Sequence, residues 1–292
     1  MARRILIGAL AAAAVAVAAL ASASAATLAS ASAATLRGTL VEDSFSSRAV
    51  AGRLTFSVYL PPGYAGGSRR YPVIYFLHGL PASTSAHRDI AYLGRALEAG
   101  QLPVIVVGVQ GARDRDPDPE YLDWGPGRNW ETAVSTELPR AVDSRYRTIA
   151  GRAGRAVIGV SAGGYGAAVI GLHHLDAFSV IESWSGYFHP TDPSGAHPLP
   201  RGSNLEDAFA SAHTFVPQLR AEFADDSTFL GFYVGDRDAT FLAENERLAR
   251  ELSRAKVPFT FEVYRGGHSR SLWEGQAPVW LALAVSHLAH AA

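Results

Sequence analysis

The sequence predicts an α/β fold: a mostly parallel central sheet with helices on both faces. Helix-like and strand-like stretches alternate through most of the chain, the order that builds such a sheet. Several strand-like runs are apolar throughout, among them Tyr71–Leu77 (YPVIYFL) and Pro103–Val109 (PVIVVGV), as strands covered on both faces should be. The 292 residues are 48% hydrophobic and 18% charged, enough for one large core.

The formal net charge is −1, with both signs mixed along the chain. No basic block points to nucleic acid and no acidic tail points to a solvated arm. There is no cysteine, which excludes disulfides, thiol catalysis and Cys-ligated metals.

The N-terminus is expected to lie outside the fold. Arg3 and Arg4 precede an apolar run from Ile5 to Leu20, followed by Ser/Ala-rich chain. This is the layout of a secretory signal peptide. Ala23-Ser24-Ala25 and Ala31-Ser32-Ala33 both fit a small-residue cleavage site, because Leu20–Thr27 repeats as Leu28–Thr35. The rival reading, a membrane anchor, suffers from a short run made mostly of alanine. The arginine pair leaves general and twin-arginine export open. The expected division is a leader and repeat over 1–33, then one domain over 36–292.

Gly38–Phe45 and Arg53–Leu60 read as paired strands with a turn near Gly52. In the second, Leu54, Phe56, Val58 and Leu60 alternate with Arg53, Thr55, Ser57 and Tyr59, predicting one buried face. Tyr71–Leu77 is the third strand and runs into His78-Gly79-Leu80. Ser85–Gly100 reads as a helix and Pro103–Val109 as a strand. The irregular segment 110–129 carries Tyr121 and Trp124, with Trp130 at its exit; these either stack on a substrate ring or pack the loop down. Glu131–Tyr146 is an amphipathic helix. Strand Arg155–Gly159 and helix Ala162–His174 flank a serine. Ala177–Ser183 is a strand, ending at Trp184-Ser185-Gly186. Phe188–Asn204 has no period, and Leu205–Phe223 is expected to form a small helical cap. Strand Thr228–Gly235, helix Ala239–Ala255, strand Phe259–Tyr264 and helix Leu272–Ala289 close the chain.

The chemistry centres on Gly159-Val160-Ser161-Ala162-Gly163. A Gly-x-Ser-x-Gly turn between a buried strand and a helix is a nucleophile elbow, with glycines where side chains would clash. Such a serine needs a base, an acid and an oxyanion hole. His268 follows a strand and two glycines, downstream of Ser161. The acid is Asp238 or Asp236, both after strand Thr228–Gly235. Gly235-x-x-Asp238 favours Asp238, since Asp236 suits a helix cap; Glu244 is a third, weaker choice. The backbone N–H groups of Leu80 and Ala162 are the expected oxyanion donors. His78 either holds the oxyanion loop or faces the pocket. Trp124 and Trp184 are further candidate substrate contacts.

Together these residues resemble the esterase D and antigen 85 branch of the α/β-hydrolase superfamily, which includes feruloyl esterases and enterochelin-esterase-like proteins. The resemblance covers about Arg53 to Trp280. It rests on Tyr75–Leu80 (YFLHGL), Trp130-Glu131-Thr132, Glu137-Leu138-Pro139, Tyr146-Arg147-Thr148, Gly154-Arg155-Ala156, Gly159–Ala167 (GVSAGGYGA), Ser185-Gly186, Gly235-x-x-Asp238 and Gly266-Gly267-His268. It implies an α/β-hydrolase fold and a Ser161, Asp238 and His268 triad with Leu80 and Ala162 as oxyanion donors. The family usually carries methionine where this chain has Ala162. In the mycolyltransferases of the branch, an aspartate and an arginine flank the oxyanion Gly-Leu and help bind trehalose; here those positions are His78 and Pro81.

The expected protein is therefore a secreted serine carboxylic ester hydrolase acting through an acyl-enzyme. An extracellular acyltransferase and a non-catalytic cell-wall or matrix-binding protein are the alternatives. The expected substrate is a small-molecule, lipid or polysaccharide-linked ester. No cofactor, metal, nucleic acid or lasting membrane span is expected.

Overall fold

A computed structural model describes residues 35–114, 116, 120–191 and 208–291. The leader and repeat over 1–33 lie outside the described residues, as does 192–207. The chain opens with β1 (Thr39–Ser47) and β2 (Gly52–Leu60), then β3 (Val73–Leu77), α1 (Ala91–Ala99) and β4 (Ile105–Val109). A helical turn (Trp130–Thr132) and a π-helical turn (Ala133–Glu137) lead into α2 (Leu138–Arg145). Next come β5 (Arg155–Val160), α3 (Ala162–His173), β6 (Val180–Trp184), α4 (Ala212–Asp225), β7 (Phe229–Gly235), α5 (Leu242–Ala255), β8 (Thr260–Tyr264) and α6 (Arg270–Ser286).

The strands form one sheet in the order β1-β2-β4-β3-β5-β6-β7-β8. β1 and β2 pair antiparallel, and β2 pairs antiparallel with β4. The remaining pairs are parallel. The chain steps from β3 outward to β4, then returns to the other side of β3 as β5. That reversal opens a crevice at the carboxyl ends of the strands, where ligands of such sheets bind.

The strand pleat divides the core into two layers. Val73, Tyr75 and Leu77 of β3 face the layer that also holds Val142 of α2, Ile170 of α3, Leu219 of α4 and Leu252 of α5. Ile74 and Phe76 face the opposite layer, with Leu93 and Leu97 of α1 and Trp280 and Leu281 of α6. In α3, every residue from Ala162 to Leu172 is buried. Apart from Tyr165, whose hydroxyl donates to the Ala210 carbonyl, its glycine-, alanine- and aliphatic-rich sequence suits a helix enclosed on all sides. In α5, Asn245, Leu248 and Leu252 form the buried stripe while Glu246, Arg247, Arg250 and Arg254 face out.

Two expectations change. β2 is covered on both faces: Tyr59 is fully buried and donates its hydroxyl to Glu98 of α1, and Ser57 is hydrogen-bonded to His87. The alternation showed one apolar face and could not show α1 folding over the other. The described part of the expected cap, α4, is not a lid. Its Phe215, Val216, Leu219 and Phe223 pack into the core layer beside α3 and α5.

Candidate active site

β5 ends by thrusting Ser161 into φ 57°, ψ −123°, a conformation costing roughly 1–3 kcal/mol. Backbone hydrogen bonds hold it: Ser161 N–H donates to the Trp184 carbonyl at 2.9 Å, and its own carbonyl accepts from Tyr165 N–H at 3.0 Å. The turn also requires its glycines. A Cβ on Gly159 would lie 2.0 Å from the Gly163 carbonyl oxygen, and one on Gly163 would lie 2.0 Å from that of Leu77.

The later strands supply the partners. The loop after β8 brings His268 Nε2 to 2.9 Å from Ser161 Oγ. His268 Nδ1 lies 2.8 Å from Asp238 Oδ2, beyond β7. The Asp238 side chain is fully enclosed, whereas 30% of the His268 side chain is exposed, so the row is closed at its acid end. Asp238 Oδ1 also accepts from Phe241 N–H at 3.1 Å, so this carboxylate makes the cap-like contact expected of Asp236. Asp236 instead accepts from Gly266 N–H, and Arg237 N–H donates to the Gly266 carbonyl. These bonds tie the acid loop to the histidine loop.

Two aromatic rings flank the imidazole. Phe241 lies 5.2 Å from the His268 ring, and Trp273 meets it edge-on at 5.1 Å. Trp273 is itself held by an Nε1–H bond of 3.0 Å to Ser185 Oγ. Nothing in the spacing of the sequence points to either ring.

The N–H of Ala162 belongs to the first turn of α3, where no helical carbonyl precedes it and the helix dipole favours negative charge. Leu80 packs against the cluster that contains Ala162. His78 is buried behind this loop. Gly111 N–H donates to its Nε2 at 3.1 Å, so Nδ1 carries the proton and donates to the Gly79 carbonyl at 3.0 Å. Burial pushes the His78 pKa down, consistent with a neutral ring. The Tyr121 hydroxyl donates to the His78 carbonyl at 2.8 Å. His78 thus braces the loop, although its edge also borders the pocket.

The other two candidates for substrate contact divide. Trp184 is fully buried between Phe76 and Trp280, with its N–H on Glu182, so its ring cannot touch substrate. Trp124 is partly buried against the cluster around Ala162, under the Arg128 guanidinium. Tyr121 and Trp130 are buried, which is the packing alternative.

A cavity of about 360 Å³ opens beside Ser161, lined by Phe76, Leu80, Tyr92, Trp273 and Arg270 among others. Arg270 makes two hydrogen bonds to Asp89, of 2.5 and 2.9 Å, and a third to Glu274. Its guanidinium lies over the Tyr92 ring. This wall joins residues 181 positions apart, which no local motif reveals. Among the described residues, the group close enough to share a cation is His189, His213 and Glu244, none of them in the serine row.

A serine on a strand-to-helix turn, with a histidine and an aspartate from later strand ends of a mostly parallel sheet, defines an α/β-hydrolase with a serine-hydrolase type of site. The profile of the family described as "Putative esterase" matches residues 47–282, and the chain belongs to that family. A Mycobacterium tuberculosis protein named as an esterase is 34% identical over 143 residues, 49% of this chain and 31% of that protein. This chain therefore spans about a third of that relative's length. The MPT51/MPB51 antigen of Mycobacterium bovis is 32% identical over 74 residues, 25% of this chain and 24% of the antigen. Among solved structures, a ferulic acid esterase superposes with a TM-score of 0.71 at 23% identity, covering 87% of this chain and 99% of its own. An S-formylglutathione hydrolase from Agrobacterium tumefaciens gives 0.72 at 19% identity, covering 88% and 98%. These likenesses support the fold.

Proposed function

We propose that the protein is a secreted serine carboxylic ester hydrolase that works through an acyl-enzyme on Ser161. The observation that carries this reading is the continuous row from Ser161 Oγ through His268 to Asp238, opening on a cavity. Ser161 Oγ attacks the ester carbonyl carbon as its proton passes to His268 Nε2. Asp238 holds the Nδ1–H and stabilises the imidazolium. The oxyanion accepts from the N–H groups of Leu80 and Ala162, each contributing about 2.7–4 kcal/mol in comparable sites. Collapse of the intermediate expels the alcohol, which takes the proton from His268. Water then repeats the sequence on the acyl-enzyme and frees the acid.

The cavity lies near the lower end of the roughly 300–1,000 Å³ range of small-molecule sites. Its aromatic lining, Phe76, Tyr92 and Trp273, favours a short or aromatic group over a long acyl chain. Export rests on Arg3, Arg4 and the apolar run from Ile5 to Leu20; N-terminal sequencing of protein recovered from the culture medium tests it.

The deciding experiment treats the protein with a fluorophosphonate probe and with p-nitrophenyl esters of graded chain length and aromatic content. Labelling of the wild type that vanishes in Ser161→Ala is expected, together with preference for short or aromatic acyl groups. Absence of both labelling and turnover would sink the reading in favour of a binding protein on this scaffold. Diversion of most acyl groups to an added sugar or alcohol would turn it into an acyltransferase.

A further inference from the structure

Away from the serine row, three elements converge on one carboxylate. Glu244, in the first turn of α5, accepts at Oε1 from Phe188 N–H at 2.8 Å. The same oxygen lies 2.5 Å from Nδ1 of His189. His213, in the first turn of α4, points its Nε2 at that oxygen from 3.6 Å. The scaffold beneath is fixed. Ala212 N–H donates to the Phe188 carbonyl, and Asn245 Nδ2 donates to the Gly186 carbonyl.

The His213 contact is the unusual one. Its side chain is nine-tenths buried, and its Nε2 is buried without a hydrogen-bond partner. On the far side of the ring, Nδ1 donates to Glu251 Oε2 at 2.5 Å, and Arg247 in turn holds Glu251. When Nδ1 alone carries the ring proton, Nε2 presents a lone pair towards a carboxylate oxygen. At 3.6 Å the two atoms are too far apart for a hydrogen bond. They are at the spacing of two ligands on one ion: with zinc–nitrogen and zinc–oxygen bonds of about 2.0–2.2 Å, tetrahedral ligand atoms sit about 3.3–3.6 Å apart. A carboxylate behind a ligating histidine is the usual device for fixing its tautomer.

We propose that His189, His213 and Glu244 bind one divalent transition-metal ion, best matched by zinc, with Glu251 orienting His213 from behind. Two imidazoles and a carboxylate suit that class of ion and leave a fourth position for water. On binding, the His189 Nδ1 proton is released to solvent and the ion takes its place between His189 and Glu244. That contact must lengthen from hydrogen-bond to co-ligand spacing, and His189, 35% exposed on the connection after β6, has room to move. The ion cross-links this connection, α4 and α5. Glu244 lies one helical turn after Phe241, the ring beside His268, so the ion also stiffens the acid loop. The site is independent of the esterase reading, and it departs from the sequence expectation of no metal.

The test uses the full, untagged chain, stripped with a chelator and titrated with zinc by calorimetry and with cobalt by visible absorption. One equivalent per chain is expected, with cobalt showing the intense bands of a tetrahedral site. His189→Ala and His213→Ala should each weaken binding at least about 100-fold, and Glu251→Gln about 10–100-fold. Circular dichroism reports whether each variant folds. If His213→Ala does not fold, His189→Ala, on the partly exposed connection, decides. Absence of stoichiometric binding, or binding unchanged in His189→Ala, would overturn the proposal.

Discussion

The two ends of α3 carry the same pair of functional groups in different settings. At its N-terminus, Ser161 faces His268, which is backed by Asp238. At its C-terminus, His173 and His174 both reach Glu131 Oε1, at 2.7 and 3.0 Å. The second cluster holds two histidines on one carboxylate and no serine in its row. The remaining nitrogen of His173 is bound to the Phe209 carbonyl, and its side chain is almost completely buried. A histidine–carboxylate pair becomes a catalytic base only when its second nitrogen is left for a hydroxyl at the surface of a cavity. Placement at the carboxyl ends of the strands provides that here, whereas the far end of the same helix provides a clasp.

Substitutions can break or sharpen this contrast, and the largest effect belongs to the proposed nucleophile. Ser161→Ala should lower kcat on p-nitrophenyl acetate by about 10⁴-fold or more with unchanged circular dichroism. Asp238→Asn should approach about 10⁴-fold, because an amide donor facing Nδ1 leaves Nε2 protonated towards the serine. A loss below tenfold in burst and steady-state assays would mean that the acid is dispensable.

Glu131→Gln probes the other end of the helix. Its kcat should stay within about twofold of wild type, while denaturant titration at pH 7 should show a loss of about 1–3 kcal/mol. Burial pushes the Glu131 carboxyl up, but hydrogen bonds from His173 and His174 outweigh it and hold the pKa down to about 2. The wild type should therefore lose this contribution as pH falls from about 4.5 towards 2, and the variant should not. An activity loss matching that of Asp238→Asn would erase the distinction between the two ends.

A last contrast concerns Glu182, a buried acid without a histidine. It accepts from Trp184 Nε1 and from the Tyr233 hydroxyl, and burial raises its pKa to about 8. The fold then keeps a proton that the unfolded chain has already released. Stability should fall as pH rises between about 4.5 and 8, by at most about 1.4 kcal/mol per pH unit. Glu182→Gln should flatten that slope in urea melts at pH 5 through 8, and an unchanged slope would place the proton elsewhere.

The sequence by itself determined the sheet, the elbow and the serine, histidine and aspartate that the structure brings into one row. Those features are local: apolar runs mark strands covered on both faces, and glycines mark a turn too tight for a side chain. Each row residue also sits within four residues of the end of its own strand, so its place follows from the strand's. Tertiary structure decided what depends on neighbours distant in sequence. It buried Trp184, made His78 a brace for the loop that carries Gly79 and Leu80, and packed α4 into the core layer beside α3 and α5. It also paired Asp89 with Arg270 across the cavity and brought His189, His213 and Glu244 together. Whether a tryptophan is wall or core, or a histidine clasp or ligand, depends on which surfaces meet over it, and residue type and spacing do not encode that.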